Sequence, residues 1–214
     1  MIIHLLRHGK TVANEKRLFC GNTDLPLSPG GVKGIEDLIE QGIYPSADLL
    51  FTSGLQRARQ TADLIYSGAL KTQITDLNEY NFGLYEMKSY DELKDQAGFK
   101  EWLADETGVI KCPQGESTQI FRQRVIKGFN TVLEEAQKSE TAFRTTRTID
   151  SNPSQLSTIN SQFSTLIVCH GGVIVHIMQW LFPDKHNYPE WQPEPGRGYT
   201  IKYAPEEIHT YHKI

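Results

Sequence analysis

Three residues near the N-terminus, Arg7, His8 and Gly9, have side chains and a position suited to phosphoryl chemistry. They follow the apolar run of residues 2–6, which is typical of a buried parallel strand. In open α/β sheets ligands bind beyond the carboxyl ends of such strands, so His8 is predicted to meet a substrate. Arg7 offers paired donors to phosphate oxygens, and Gly9 lets backbone N–H groups approach an anion. Taken alone, the tripeptide is more often a structural turn that ends a strand.

A second histidine has the same relation to a predicted strand. Residues 165–169 form another buried-strand run, which ends in His170, Gly171 and Gly172 before a helical segment at 173–181. If the two strands are neighbours in a parallel sheet, both imidazoles project into one crevice. The N-terminus of the following helix would add its partial positive charge there.

A third predicted strand, residues 47–52, leads into a helix that carries two arginines. Ser53 and Gln56 have the spacing of a capping box, which would place Arg57 in the first helical turn, facing the same crevice. The alternative for Arg57 is a solvent-exposed arginine. We expect that alternative for Arg59 on the same helix.

Together these motifs resemble the histidine phosphatase superfamily, which includes the cofactor-dependent phosphoglycerate mutases and many small phosphatases. The similar stretches follow the family's order along the chain: residues 7–9 with Thr11 and Asn14, Gly21 with residues 24–28, residues 53–62, residues 77–86, and His170 with Gly171. The resemblance implies that His8 is the phosphorylated histidine, that Glu79 is the acid/base glutamate and that His170 is the second histidine. It also implies that Gly21 and Gly171 belong to the phosphate-binding loops.

The chemistry of these residue types agrees with that assignment. A phosphate monoester is a dianion, so a neutral imidazole such as His8 is a suitable nucleophile and yields a phosphohistidine. Its other ring nitrogen must then be held by an acceptor, for which a backbone carbonyl is one candidate. Arg7, Arg57 and His170 would surround the phosphate oxygens, and Asn14 would add a neutral donor. Glu79 would transfer the protons, whereas nearby Glu86 is predicted to be a local structural carboxylate.

Composition is consistent with a small metabolic enzyme. The 214-residue chain has a formal net charge of −4, which argues against a general nucleic-acid binder. Cys20, Cys112 and Cys169 are widely spaced and predict free thiols in a reducing compartment. The N-terminal apolar run is too short for a signal peptide and no stretch is long enough to cross a membrane, so we expect a cytoplasmic protein. Arginines beside the histidines would repel a cation, so no metal and no cofactor are expected.

Strands alternate with helices along the chain, as a doubly wound fold requires. We therefore predict an α/β protein with a three-layer, mainly parallel sheet, helices on both faces and a small cap insertion. Residues 1–214 are expected to form a single domain, with the cap at about 84–116. A Ser/Thr/Asn-rich stretch at about 139–164 has no clear hydrophobic period and predicts a long loop or disordered insert.

Three further helices are predicted from capping signals. Ser28 with Pro29 opens one whose inward residues are Val32, Ile35, Leu38 and Ile39, with Gly42 after its end. Ser89 with Glu92 opens a second that runs toward Trp102. Ser117 opens a long third helix whose predicted buried side is Ile120, Phe121, Val125, Phe129, Val132 and Leu133.

The cap segment decides between members of the superfamily. Phosphoglycerate mutases carry arginines there for a second anionic group, whereas residues 84–116 contain none, and Lys100 and Lys111 are expected to be solvated. The phosphatase branch, which includes broad-specificity and α-ribazole phosphatases, is therefore the closer resemblance. Its implied activity is metal-independent hydrolysis of small phosphate esters; a phosphoglycerate mutase and a signalling phosphoprotein phosphatase remain alternatives. The aromatic residues in and beside the cap would line an apolar pocket or simply pack against the sheet: Tyr80, Phe82, Tyr85, Tyr90, Phe99 and Trp102.

Overall fold

A six-stranded sheet organises the molecule. The computed structural model describes residues 1–150, 162–183, 185–204 and 209–214, and residues 146–150 only as helical backbone. The strands are β1 (Ile2–Arg7), β2 (Leu49–Thr52), β3 (Thr72–Gln73), β4 (Ser164–Cys169), β5 (Gly198–Lys202) and β6 (Thr210–Lys213). Their spatial order is β3-β2-β4-β1-β5-β6. The first four strands pair in parallel, and β5 pairs antiparallel with both β1 and β6.

Helices cover both faces of this sheet, as predicted. They are α1 (Val12–Glu15), α2 (Pro29–Glu40), α3 (Gln56–Ile65), α4 (Tyr90–Leu93), α5 (Ala97–Leu103), α6 (Thr118–Asp150), α7 (Gly171–Leu181) and α8 (Tyr188–Trp191). Helix α2 packs on α3, and α6 packs on α7. Within the described parts of the chain, no helix combines the length and apolar character needed to cross a membrane.

The alternation of side chains along the central strands explains the two covered faces. Successive residues of a strand point to opposite sides of the sheet. Leu5 and Ile167 therefore join the larger core with α6 and α7, whereas Leu6 and Leu166 join a smaller core with Ala58 of α3. Strands buried on both faces read as continuous apolar runs, and this is why β1 and β4 are recognisable in the sequence. The predicted three-layer, mainly parallel architecture is confirmed.

The capping signals located most helix starts correctly. The Ser28 hydroxyl accepts from the Gly31 N–H at 3.0 Å with Pro29 in the first turn, and Gly42 follows the helix with φ +67°. Ile39 in the last turn is 38% exposed, so its predicted inward position is wrong.

The two later capping signals are also confirmed. Ser89 and Glu92 form a capping box, but α4 ends at Leu93 and α5 begins at Ala97, so one predicted helix is two. Ser117 accepts from the Ile120 N–H at 3.3 Å at the start of α6. Ile120 itself is exposed, while the rest of the predicted buried side is in the core.

The predicted loop or insert at 139–164 is wrong in its first part, because α6 continues through Asp150. Local side-chain contacts support this polar helix without a hydrophobic stripe: Glu140 pairs with Arg144 at 2.8 Å, and the Thr141 hydroxyl donates to the Gln137 carbonyl at 2.8 Å. Residues 151–161 lie outside the described residues, and β4 begins at Ser164.

Candidate active site

Three neighbouring strands bring their carboxyl ends to one edge of the sheet. Arg7 of β1 pairs with Cys169 of β4, and Thr52 of β2 pairs with Val168. The next residue of each strand, His8, His170 or Ser53, therefore lies in a common crevice. The two imidazole rings are 5.0 Å apart between centroids, which confirms that the two histidines share one crevice.

His8 is held as a neutral imidazole with a defined orientation. Its Nδ1 donates to the carbonyl of Gly9 at 2.6 Å, which fixes the proton on that nitrogen and leaves Nε2 unprotonated. Burial lowers the pKa of His8 well below 6.5, and the charge of Arg57 lowers it further. A backbone carbonyl is thus the acceptor that a nucleophilic His8 requires.

Arg57 lies against His8 in the first turn of α3 and is 1% exposed, so the buried position is the correct one of the two considered. Its Nε donates to His8 Nε2 at 3.3 Å. Its Nη1 and Nη2 donate to the carbonyls of Thr23 and Gly21 at 2.9 and 2.6 Å. Arg59, by contrast, is exposed, as predicted.

The predicted capping box of Ser53 with Gln56 is wrong. Ser53 Oγ lies 2.7 Å from His170 Nε2, and α3 begins after Leu55, which makes no side-chain cap. Asp24 Oδ1 instead accepts from the Gln56 N–H at 2.6 Å. The serine hydroxyl therefore orients the second histidine, a contact that the sequence reasoning missed because it assigned the hydroxyl to local backbone.

His170 occupies the N-cap position of α7 without a side-chain capping bond, and it is fully buried. Burial lowers the pKa of His170 well below 6.5, and Arg57 and His8 lower it further. Among the described residues, no protein group pairs with His170 Nδ1 or with the buried Nε of Arg7. Buried polar atoms normally have hydrogen-bond partners, so both atoms are suited to contact an anion in the crevice.

Arg7 is fixed by the segment before β5. Its Nη1 donates to the Pro193 carbonyl at 2.7 Å. Burial lowers the pKa of Arg7, and the nearby carboxylate of Glu79 opposes that shift. Glu79 and Arg7 therefore face the same space.

Glu79 reaches the crevice from the loop that follows β3. Its Oε2 accepts from the Gly172 N–H at 3.0 Å, and its Oε1 accepts from the Tyr80 N–H at 3.0 Å. The carboxylate thus sits at the N-terminus of α7, where the partial positive charge of the helix stabilises an anion. A Cβ on Gly172 would approach Glu79 Oε1 to 2.5 Å, which explains the glycine at this position.

An ion pair that the sequence did not reveal supports this loop. Arg124 of α6 donates to both oxygens of Glu116 at 2.9 Å. It also donates to the carbonyls of Asp76 and Asn78 at 2.9 Å and to that of Glu79 at 3.3 Å. No motif marks these contacts, because the three carbonyls lie more than 40 residues before Arg124 and Glu116 lies outside the helix that carries this arginine.

The glycines near the site have structural reasons that differ from the predicted ones. The Gly9 N–H donates to the Thr61 hydroxyl at 3.0 Å, and a Cβ there would lie 2.8 Å from Ile35. Gly21 donates its N–H to Glu86 at 3.0 Å, so this amide is already engaged within the protein. A Cβ on Gly171 would lie 2.8 Å from Gln192 Nε2 and 3.3 Å from Arg7 Nε, so a larger residue here would press on the Arg7 guanidinium.

Asn14 lies in α1, which begins a few residues after His8. Its Oδ1 accepts from the Thr11 N–H and hydroxyl at 2.9 and 3.0 Å, which completes a capping box. The amide nitrogen is then the end of this side chain that can donate to a substrate.

The aromatic residues of the cap pack on one another. Phe99 is fully buried and contacts Tyr85 and Trp102 with ring centroids 5.3 and 5.7 Å apart. Trp102 Nε1 donates to the Tyr80 hydroxyl, which donates to the Glu116 carbonyl. Of the two roles left open by the sequence, these contacts support packing.

The lysines of the cap and the three cysteines of the chain are in the states that the sequence predicted. Lys100 and Lys111 are exposed, as predicted. Cys20, Cys112 and Cys169 are free. In the described ranges, no cluster of three His, Cys, Asp or Glu side chains is arranged to hold a metal ion.

Similarity to known proteins establishes the family to which the chain belongs. The family model of the histidine phosphatase superfamily (branch 1) matches residues 3–149. The chain belongs to this superfamily, and the resemblance read from the motifs is confirmed.

Curated relatives include two kinds of enzyme. The chain is 37% identical over 129 residues to the adenosylcobalamin/alpha-ribazole phosphatase of Escherichia coli (strain K12), covering 58% of this chain and 63% of the relative. It is 31% identical over 135 residues to the probable phosphoglycerate mutase GpmB of Klebsiella pneumoniae (strain 342), covering 62% and 63%. The match spans slightly less than two thirds of the length of these relatives.

Solved structures match along nearly the whole chain. The alpha-ribazole phosphatase from Shigella flexneri superposes with a TM-score of 0.76 at 27% identity, covering 99% of this chain and 95% of that one. The protein TTHB049 from Thermus thermophilus superposes with a TM-score of 0.66 at 26% identity, covering 99% and 98%.

Proposed function

We propose that this protein is a metal-independent phosphatase that hydrolyses small phosphate monoesters through a phosphohistidine at His8. The observation that carries the proposal is the state of His8: buried, neutral and with Nε2 directed to Arg57. The two unpaired buried atoms, Arg7 Nε and His170 Nδ1, lie beside it. A nucleophile surrounded by fixed donors is what phosphoryl transfer requires, because catalysis is mainly positioning and charge stabilisation.

Each step has a residue to perform it. In the first step Glu79 is the carboxylic acid: His8 Nε2 forms a bond to phosphorus as the bond to the ester oxygen breaks, and Glu79 gives its proton to that oxygen and becomes the carboxylate. Glu79 then takes a proton from water, whose oxygen attacks the phosphohistidine and releases inorganic phosphate and neutral His8. Arg7, Arg57, His170 and the Asn14 amide would hold the phosphoryl oxygens throughout.

Hydrolysis is favoured over mutase activity by the charges of the cap. A mutase must hold a second anionic group, and residues 84–116 contain no arginine. Lys100 lies 4.0 Å from Asp95 with 63% of its side chain exposed, so it is not a clamp over the crevice. The similarity to alpha-ribazole phosphatases supports the same choice, and alpha-ribazole phosphate is the first ester to examine.

The aromatic residues of the cap do not argue for an aromatic substrate. Because Tyr85, Phe99 and Trp102 contact one another, their faces are engaged within the cap. We therefore propose a range of small esters and no strong preference for aryl leaving groups.

The test follows the phosphoryl group. Purified protein is quenched without acid during turnover of a radiolabelled ester, and an acid-labile, base-stable label on His8 is expected. His8→Ala should lose both label and activity, while the exposed control His212→Ala should keep both. Label on serine or cysteine would refute the mechanism.

The same preparation separates hydrolase from mutase. Release of inorganic phosphate is compared with interconversion of 3- and 2-phosphoglycerate in the presence of 2,3-bisphosphoglycerate. A screen of sugar phosphates, nucleotides and alpha-ribazole phosphate identifies the ester. Mutase turnover above phosphate release would favour the alternative suggested by GpmB.

A further inference from the structure

Glu86 is bound by an unusually large set of donors for a partly buried carboxylate. Its two oxygens accept hydrogen bonds from the N–H groups of Gly21, Asn22 and Thr23 and from the Thr23 hydroxyl. They also accept from the N–H of Phe82, which is near Glu86 in sequence. The distances range from 2.7 Å for the Thr23 hydroxyl to 3.3 Å for the Thr23 N–H. The predicted local role of Glu86 is therefore incomplete, since most of its partners lie more than 60 residues earlier in the chain.

The other side of the same segment holds Arg57. While the N–H groups of Gly21 and Thr23 point to Glu86, their carbonyls accept from Arg57 Nη2 and Nη1 at 2.6 and 2.9 Å. The third nitrogen of that guanidinium, Nε, donates to His8 Nε2 at 3.3 Å. A continuous chain of hydrogen bonds thus runs from Glu86 to the Asn22 N–H, through the Gly21–Asn22 peptide group to the Gly21 carbonyl, and on to Arg57 and His8.

We propose that Glu86 is a positioning residue that sets the orientation of Arg57 in the phosphoryl site. The inference deepens the proposed phosphatase function and rests on it for its kinetic effect. Residues 21–23 are not part of a helix or strand, so no backbone ladder holds their N–H groups. Glu86 takes the place of that ladder, and its negative charge makes each bond stronger than one to a neutral acceptor.

Two further contacts hold the segment at the right distance. Phe19 and Met87 join the chain just before the segment to the chain just after Glu86, because Phe19 accepts from the Met87 N–H at 2.7 Å and donates to the Lys88 carbonyl at 2.9 Å. On the opposite side, a Cβ on Gly21 would lie 1.5 Å from the Tyr80 carbonyl oxygen. The segment therefore lies between the Tyr80 backbone and Glu86, and its carbonyls face Arg57.

The charge of Glu86 also acts along the chain of bonds. Hydrogen bonds in series polarise one another, so a carboxylate on the Asn22 N–H makes the carbonyl of the same peptide group, that of Gly21, a better acceptor for the guanidinium. Without the carboxylate, three adjacent N–H groups would lose their acceptor and the segment would be free to reorient.

The test uses Glu86→Gln, which preserves size but replaces one oxygen with an NH2 group that cannot accept. We expect kcat/KM to fall about 10- to 100-fold, the loss that corresponds to one charge-assisted hydrogen bond. Binding of inorganic phosphate, measured by calorimetry, should weaken in the same direction. Glu92→Gln is the matched control, because Glu92 also accepts a backbone N–H and a hydroxyl, those of Ser89 in the capping box of α4, but does not contact residues 21–23. The kinetics and phosphate affinity of this variant should stay as in the unmodified protein.

A double-mutant cycle separates positioning from general damage. If Glu86 acts through Arg57, adding Glu86→Gln to Arg57→Ala should cause little further loss in kcat/KM or phosphate affinity. The acid limb of the pH profile should also move to higher pH in Glu86→Gln, because a displaced Arg57 lowers the His8 pKa less.

Thr23→Val supplies a second variant, since it removes one donor to Glu86 and should produce a smaller loss of the same kind even if Glu86→Gln does not fold. Additive losses in the cycle, or phosphate affinity and kcat/KM within twofold of the unmodified protein in either variant, would overturn the inference. Phosphate binding that depends on Glu86 in a protein that hydrolyses no ester would instead refute only the proposed function.

Discussion

The floor of the crevice and the predicted cap segment are built in different ways. We define the floor as residues 7–9, 21–23, 53–57, 79 and 170–172, and the cap as residues 84–116. In the floor, buried polar atoms are held one by one: His8 by Gly9, His170 by Ser53 and Arg57 by Gly21 and Thr23. In the cap, aromatic rings pack on one another, as Phe99 does with Tyr85.

The difference indicates which part can change without loss of chemistry. A phosphoryl group imposes fixed positions on its nucleophile and donors, so each floor contact is specific. A hydrophobic cluster requires mainly volume and shape, so many side chains could satisfy it. The floor, together with Glu86, which binds its residues 21–23, should therefore control turnover, and the aromatic cluster of the cap should control stability.

The strongest test of the floor is Glu79→Gln. The amide can still accept from the Gly172 N–H but cannot supply a proton, so turnover of an alkyl ester should fall on the order of 10²–10⁴. With p-nitrophenyl phosphate, whose leaving group needs no proton, the loss should be smaller. The cap variant Glu92→Gln should leave both rates unchanged. Equal losses on both esters would argue against the acid role.

The cap is tested by Phe99→Ala. Phe99 is fully buried among aromatic rings, so its removal should lower the free energy of unfolding by about 3–5 kcal/mol. In folded protein kcat should change little, because Phe99 does not belong to the floor. Urea denaturation and steady-state kinetics measure the two effects. Leu103→Ala, at a site 55% exposed, is the control. A large change in kcat at unaltered stability would erase the distinction between floor and cap.

Acid sensitivity should come from outside the cap, which contains no histidine. His176, on the helix that begins in the floor, is 5% exposed, and burial lowers its pKa to about 4. The unfolded chain takes up this proton first, so stability is highest above pH 6.5 and falls as the pH drops toward about 4.

His176→Leu isolates this contribution. The free energy of unfolding at pH 7.5 minus that at pH 5 should be about 2 kcal/mol smaller than in the unmodified protein, the value given by a pKa of 6.5 in the unfolded chain and about 4 in the folded one. The exposed control His212→Gln should leave the difference unchanged. An unchanged difference in His176→Leu would show that His176 does not titrate in this range.

The smallest expected effect is that of chelation. Arg7, Arg57 and His170 supply the donors for the phosphoryl oxygens in the proposed floor, so EDTA should leave the rate unchanged. Loss of activity on chelation, restored by Mg²⁺ or Zn²⁺, would mean that the floor lacks part of its charge.

Short sequence motifs located the floor because its main residues follow recognisable strands. His8 and His170 come directly after apolar runs, and parallel strands end at a common edge. The same rule failed to assign Ser53, since a serine before a helix is also a typical cap. For the polar continuation of α6 to Asp150, the absence of a hydrophobic period suggested a loop, while local i,i+4 contacts support a helix.

The sequence by itself determined the superfamily, the mainly parallel sheet and the strand-end position of the two histidines, because these depend on local apolar runs and short motifs. Only the tertiary structure decided that Glu86 binds residues 21–23, that Ser53 binds His170 and that Arg124 binds carbonyls of residues 76–79, because these bonds join residues that are distant in the chain. It also decided that the aromatic residues of the cap pack together. Contacts of this kind depend on how the elements assemble, and a hydroxyl or carboxylate has the same appearance in the sequence whichever partner it meets.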